Sequence, residues 1–271
     1  MLRAGFVKDR AAPPGRREDW VGAMPMHWRK KLDKSINNLD AAVACIFDGA
    51  TVLISGFGGA GAPIELIHGL IARYLATGHP RNLTVVNNNA GTGRVGLGAL
   101  IHHGMVGKLI CSFPRSSDPT AFNERYAAGE LELELVPQGT LAERIRAAGA
   151  GIPAFYTRTA YGTELAVGKP TAEFDGVTYV QERALKADFA LVKAQRGDRH
   201  GNLTYRLAAR NFAPLMCMAA THAIVQVKNL VQPGEIDPEH VVTPGIFVQS
   251  IVEVPEPAQE EMLVRAGVTF P

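Results

Sequence analysis

The segment Thr51-Val-Leu-Ile-Ser-Gly-Phe-Gly-Gly-Ala-Gly-Ala-Pro63 constrains this chain more than any other: an apolar strand-like run breaks into glycines and enters a helical pattern at Pro63. A buried strand that passes through glycine directly into a helix is the opening of a β-α-β unit. With side chains absent at Gly56, Gly58, Gly59 and Gly61, a ligand can approach the main chain, and the following helix adds its positive dipole. Two readings stand: an anion cradle, or a tight strand-to-helix turn that needs glycine for packing alone.

The same alternation continues downstream. Thr51–Ser55, Leu83–Asn87, Lys108–Phe113 and Leu131–Val136 are predicted strands, and Pro63–Leu75, Leu97–His103, Pro119–Ala128 and Thr140–Ala148 are predicted helices. Pro63 and Pro119 suit first-turn positions. The expected fold class is α/β, an open, mostly parallel sheet with helices on both faces. After Gly151, Pro153–Tyr156, Val177–Gln181, Phe189–Lys193, Ala223–Val227 and Gly245–Val248 read as further strands completing the same core, and Gly197–Asn202 reads as a hairpin turn. Glu132 and Glu134 share one face of an alternating strand, which reads as a half-exposed strand rather than an acid/base pair.

Composition narrows the function classes. A net charge of +2 gives no strong pull toward nucleic acid or an anionic membrane, and no apolar run is long enough to span a bilayer. Cys45, Cys111 and Cys217 have neither disulfide nor zinc spacing, so no metal is expected and a reducing cytoplasm fits best. Residues 1–32 carry prolines and basic residues without apolar periodicity and read as a disordered extension; Glu18, Asp19 and the lack of serine argue against a transit peptide, and an upstream start codon would account for the segment as well. The folded domain is expected over residues 33–254, with 255–271 as a C-terminal tail.

Gly56, Gly58 and Gly61 match the dinucleotide fingerprint, so a dehydrogenase has to be weighed. That fold expects an acid at the end of the second strand, where this chain has Asn87, Asn88 and Asn89. Amides beyond a strand's carboxyl end can donate to a ligand; an Asx turn satisfying its own backbone is the other reading. Gln138 follows the next strand, ahead of a helix that Thr140 and Glu143 are expected to open as a capping box; it is either an oxyanion donor or a solvent-facing loop residue. The histidines have no metal spacing, His102 and His103 suit a helix end, and Cys111 suits a core. The residues thus describe an anion pocket of neutral donors with no nucleophile or base of this chain beside it; a glutamate among these loops would contradict that.

In order, Asp48-Gly49, Val52 to Ile54, Ser55-Gly56-Phe57, Gly61 and Pro63, then Asn88 to Gly91, Pro137 to Ile145, Gly151 to Phe155, Tyr161 to Thr163, Asp188 to Lys193 and Ala209 to Phe212, resemble the family I CoA-transferases, specifically the A (alpha) subunits of 3-oxoacid CoA-transferases. Ser55 stands where that family has a glycine. Cys111–Arg115 and Gly197–Tyr205 look more like the 3-oxoadipate than the acetoacetate enzymes. The resemblance implies the CoA-transferase (NagB/RpiA-like) fold, a CoA thioester as substrate with no permanently bound cofactor, and a B (beta) subunit in a heterodimer or α2β2 assembly. It also implies that the nucleophilic glutamate lies on that partner, in a Ser-Glu-Asn-Gly motif this chain lacks. Gln138 would then donate to the developing oxyanion, Asn88 and Asn89 would order the site, and Gly56, Phe57, Gly58, Gly59, Ala60 and Gly61 would line the CoA side. A non-catalytic acyl-CoA or nucleotide-binding protein is the alternative.

Overall fold

The computed structural model describes residues 32–270. The chain divides after Asp33, and every element named here belongs to the unit beginning at Lys34; the expected N-terminal extension, Leu32 apart, lies outside the described residues. β1 (Ser35–Ile36) and α1 (Leu39–Val43) lead into β2 (Thr51–Ile54), α2 (Ile64–Thr77), β3 (Leu83–Val86), α3 (Gly96–His102), β4 (Val106–Cys111), α4 (Thr120–Ala127), β5 (Glu132–Leu135) and α5 (Gln138–Gly149). Then come β6 (Ala154–Thr157), β7 (Thr171–Phe174), β8 (Val177–Arg183), β9 (Ala187–Asp198), β10 (Leu203–Thr204), α6 (Ala213–Ala219), β11 (Ala220–Val231), β12 (Ser250–Glu253) and α7 (Glu260–Arg265).

The main sheet runs β1-β12-β11-β9-β2-β3-β4-β5, all parallel, with β10 turned back antiparallel on β9 across Asp198–Asn202 as the hairpin reading expects. Alternation along β2 divides its residues between two cores. Val52 and Ile54 join Leu66, Ile67, Leu70 and Ile71 of α2 on one face, while Leu53 joins Leu141 and Ile145 of α5 and Met216 of α6 on the other. Helices therefore cover both faces, in agreement with the sequence. Burial rather than propensity holds α2: Ile64, Leu66, Ile67, Leu70 and Ile71 are buried, each contributing roughly 1.5–3 kcal/mol. Its C-terminus stops at Gly78, left-handed at φ 76°, whose N–H donates to the Tyr74 carbonyl at 2.7 Å.

Several expectations need correction. Pro63 and Pro119 occupy the capping positions just outside α2 and α4 rather than the first turn. The capping box does not form: α5 begins at Gln138 behind Pro137, so Thr140 lies inside the first turn, buried, with Oγ1 unbonded, and Glu143 pairs with Arg146 instead. Gly245–Phe247 is a 3-10 turn, not a strand, because Gly245 packs against the His200 carbonyl, where a Cβ would come within 2.3 Å; the strand is β12. β6 and β8, with the unforeseen β7, leave the main core altogether and form a three-stranded antiparallel sheet. Finally, the segment read as a tail carries α7 and folds back onto the sheet's carboxyl edge.

Candidate active site

Because β2, β3, β4 and β5 run parallel, the loops after them meet along one edge, where open α/β sheets bind ligands. The loop after β2 is fastened by its own backbone. Phe57 and Ala60 exchange N–H···O bonds at 3.1 Å, and the Ala62 N–H donates to Gly59 at 3.3 Å. Gly58, Gly59 and Gly61 are left-handed, and their N–H groups have no hydrogen bond among the described residues. The Ser55 hydroxyl donates to the Gly61 carbonyl at 2.8 Å and accepts from the Lys193 N–H at 3.2 Å, so the serine in place of the family's glycine ties the loop to β9.

Asn211 completes that tie and was given no role by sequence reasoning. Its Nδ2 donates to Ala60 at 2.8 Å, and its Oδ1 accepts from the N–H groups of Gly56 (3.3 Å) and Phe212 (2.7 Å). Gly61 is needed here because a Cβ would come within 2.6 Å of the Ala209 carbonyl at a φ of +82°.

After β3, both readings of the asparagines apply to different atoms. Asn87 Nδ2 donates to Ile54 at 2.7 Å while its Oδ1 accepts from the Asn89 N–H at 2.9 Å, and Asn89 Oδ1 accepts from Gly91 at 2.8 Å in the Asx manner. Asn88 Oδ1 accepts from the Ser112 hydroxyl at 3.0 Å. The oxygens thus shape the turn, whereas the Nδ2 groups of Asn88 and Asn89 have no acceptor among the described residues. Gln138, first residue of α5, is exposed with its side chain likewise unbonded.

Asn88, Asn89 and Gln138 line one cleft of about 810 Å³ together with Phe57, Gly58, Ser112 and Arg115. The glycine loop is a wall rather than the floor of a single pocket. Ala60 and Gly61 face a second cleft of about 680 Å³ bordered by Lys193, Arg206 and Lys228, and Gly56 and Gly59 face a small gap between. Phe57 and Phe113 stand exposed at the first cleft's mouth. Cys111 is buried in β4, its thiol pushed up to about 12 by desolvation, which suits a core residue and not a nucleophile.

One residue contradicts the expectation of donors alone. Glu260, first residue of α7, lines the cleft at 8% exposure. A side chain added at Gly59 would come within 3.0 Å of its Oε2, and one at Gly96 within 3.3 Å of its Oε1. It has no hydrogen bond or ion pair among the described residues, and burial pushes its pKa up to about 7. The segment around it is fastened at both ends. Lys193 Nζ donates to the Ala258 carbonyl at 2.9 Å and the Ala258 N–H donates to Glu65 at 2.5 Å. Phe270 stacks on His68 at 3.9 Å, and the His68 Nε2, kept neutral by burial that lowers its pKa to about 4, accepts from the Gly96 N–H at 3.0 Å. These contacts cross long sequence separations, so no local pattern could reveal them.

Residues 36–254 match the family described as coenzyme A transferase. The chain belongs to that family. This transferase chain is 58% identical over 223 residues to the A subunit of 3-oxoadipate CoA-transferase from Pseudomonas putida, covering 82% of this chain and 94% of the relative. It is 45% identical over 247 residues to the A subunit of a probable succinyl-CoA:3-ketoacid coenzyme A transferase from Mycobacterium tuberculosis, covering 84% and 97%. Its fold matches the acyl-CoA transferase YdiF of Escherichia coli O157:H7 at a TM-score of 0.73 and 24% identity, over 84% of this chain and 48% of that one. The matched region is thus about half of the YdiF chain. Glu260 lies beyond the family-matched stretch.

Proposed function

We propose that this chain is the A half of a two-chain CoA-transferase that moves CoA from succinyl-CoA to a 3-oxo acid, 3-oxoadipate before acetoacetate. One observation carries the reading: Asn88, Asn89 and Gln138, with unbonded side-chain amide donors, and Gly58, with an unbonded N–H, line one cleft. Neutral donors held in place suit an oxyanion that develops only in the transition state. The attacking carboxylate comes from a B subunit, in a heterodimer or α2β2 assembly, and the exposed Phe57 and Phe113 at the cleft mouth offer that partner an apolar landing. Similarity to chains named as A subunits supports a second chain, and 58% identity to a 3-oxoadipate enzyme favours that acid.

The partner's glutamate attacks the succinyl carbonyl and the C–S bond breaks, giving a mixed anhydride and CoA thiolate. The thiolate attacks the glutamyl carbonyl, releasing succinate and leaving a glutamyl-CoA thioester. The 3-oxo acid's carboxylate then attacks that thioester, and the same two steps in reverse deliver the new acyl-CoA and restore the glutamate. At each addition Gln138 donates to the carbonyl oxygen that gains charge, while Asn88 and Asn89 hold the edge of the cleft. CoA is a substrate, not a resident group; Lys193, Arg206 and Lys228 beyond the glycine wall supply charge suited to its phosphates. One folded unit that begins at Lys34 and takes in the α7 segment, and a reducing cytoplasm, consistent with three unpaired cysteines, complete the reading.

Glu260 favours a second reading, in which this chain supplies its own attacking carboxylate. Its burial opposes that, since only a small part of the residue is open to the cleft and a desolvated carboxyl whose pKa is raised is a poor attacking anion at neutral pH. The test is reconstitution with a B subunit. Transfer by the pair and none by this chain alone is expected; a pair that moves no CoA removes the proposal, and transfer by the isolated chain establishes the Glu260 reading.

A further inference from the structure

The first cleft is lined by two arginines, of which only one has a partner. Arg265 is committed to Glu261 at 2.5 Å along α7. Arg115, in the loop between β4 and α4, has no ion pair or hydrogen bond among the described residues. The acid nearest to it in sequence, Asp118, spends its carboxylate on Thr120, accepting from Oγ1 at 2.6 Å and from the N–H at 3.2 Å. Beside Arg115, the Ser116 hydroxyl is covered and has no hydrogen-bond partner either. Arg115 is exposed, so its guanidinium is solvated but uncommitted; beside the covered, unbonded Ser116 hydroxyl it offers an incoming carboxylate two parallel hydrogen bonds.

The neutral amides and the cation have different tasks. Asn88, Asn89 and Gln138 suit a carbonyl whose charge comes and goes, because a fixed cation there would hold the ground-state carboxylate as tightly as the transition state. Arg115 suits a group that stays charged throughout. We infer that Arg115, resting on the transferase reading above, receives the far carboxylate of a dicarboxylic acyl group, so that the cleft selects substrates carrying a second acid beyond the one that reacts. Both sides of the exchange qualify: the succinyl donor has such a carboxylate, and a six-carbon 3-oxo diacid has one too, whereas acetoacetate has none. The remaining charges around the cleft are Glu260 and Glu261; the second is paired with Arg265 and the first makes no ion pair, so neither is bonded to the guanidinium.

The test uses the reconstituted two-chain enzyme and the isotope exchange that a shared covalent intermediate permits: labelled succinate into succinyl-CoA, and labelled acetoacetate into acetoacetyl-CoA. In Arg115→Met the KM for succinate and for succinyl-CoA is expected to rise about tenfold or more, while acetoacetate exchange and the KM for acetoacetyl-CoA stay within about twofold. Arg115→Lys should recover part of the loss, because it restores the charge without the fork. Equal loss for both acids, or no change in either, overturns the assignment. A raised KM for both thioesters with normal values for the free acids also overturns it, since the anion would then be a CoA phosphate. Calorimetric binding of succinate and butyrate to the same complex gives a readout free of turnover, with only succinate weakened in the variant. Should the wild-type pair exchange nothing, the transferase reading falls, and equal loss of both acids in that binding experiment would overturn the role of Arg115 separately.

Discussion

At the outer edge of the sheet, Lys108 of β4 pairs with Glu132 at 2.9 Å and Glu134 at 3.0 Å on β5, and Arg144 of α5 adds a 2.8 Å bond to Glu134. Burial pushes the Glu134 carboxyl up, but the bonds from Arg144 and Lys108 outweigh it and hold the group below its ordinary range. In the cleft, Glu260 is more deeply buried, finds no cation, and is pushed up to about 7. Arg115 stands on the same wall without an acid, and the amides of Asn88, Asn89 and Gln138 stand without acceptors. The edge spends its polar groups on itself and gains stability. The cleft keeps its polar groups uncommitted and gives that stability up, as sites that must bind something else do.

The largest expected effect breaks the cleft side. Gln138→Ala in the two-chain enzyme should lower turnover about a hundredfold with little loss of CoA affinity, because the proposed mechanism assigns it an oxyanion hydrogen bond; steady-state kinetics with separate KM values decides it, and unchanged turnover removes the role.

Glu260→Gln probes the same side through pH. A raised folded pKa means the protein holds a proton the unfolded chain has released, so the segment's stability falls as pH rises from about 4.5 to about 7 and stays low above that. Hydrogen exchange of residues 258–266, corrected for its intrinsic pH dependence, should therefore lose protection across that window in the wild type, by a free energy on the order of 1–3 kcal/mol. The glutamine variant should show no such loss; identical profiles would mean that Glu260 is not desolvated.

The smallest effect is expected at the edge. Arg144→Met should lower global stability by about 1–2 kcal/mol at neutral pH in denaturant unfolding, as Glu134 keeps only Lys108. Since the Glu134 pKa is depressed, its contribution is present above about 4.5 and lost as pH falls further, so the wild-type advantage should shrink in acid. Turnover should fall far less than for Gln138→Ala; a comparable fall would erase the distinction between the two regions.

The sequence made the half of the sheet around β2 to β5 legible because each strand is a short apolar run closed by polar or glycine residues, and the helices between them carry one apolar face each. The glycine wall, the asparagine turn and Gln138 followed from their positions after those strands. Beyond Gly151 legibility failed where shape depends on distant partners. Gly245 turns because of the His200 carbonyl, and β6 and β8 pair with each other and β7 rather than with the main sheet. Glu260 is the sharpest case. Nothing near it in sequence suggests burial; Lys193, Glu65 and His68, each some 65 or more positions from the residue it anchors, put it there.

One wall of the cleft is therefore made from the part of the chain that leaves the ribosome after every strand. The sheet edge bearing the amides can assemble while α7 is still unmade, but the pocket acquires its final depth, and its buried acid, only when Ala258 and Phe270 have reached their anchors. A product cut short after β12 would keep the framework and the donors while presenting them open to water.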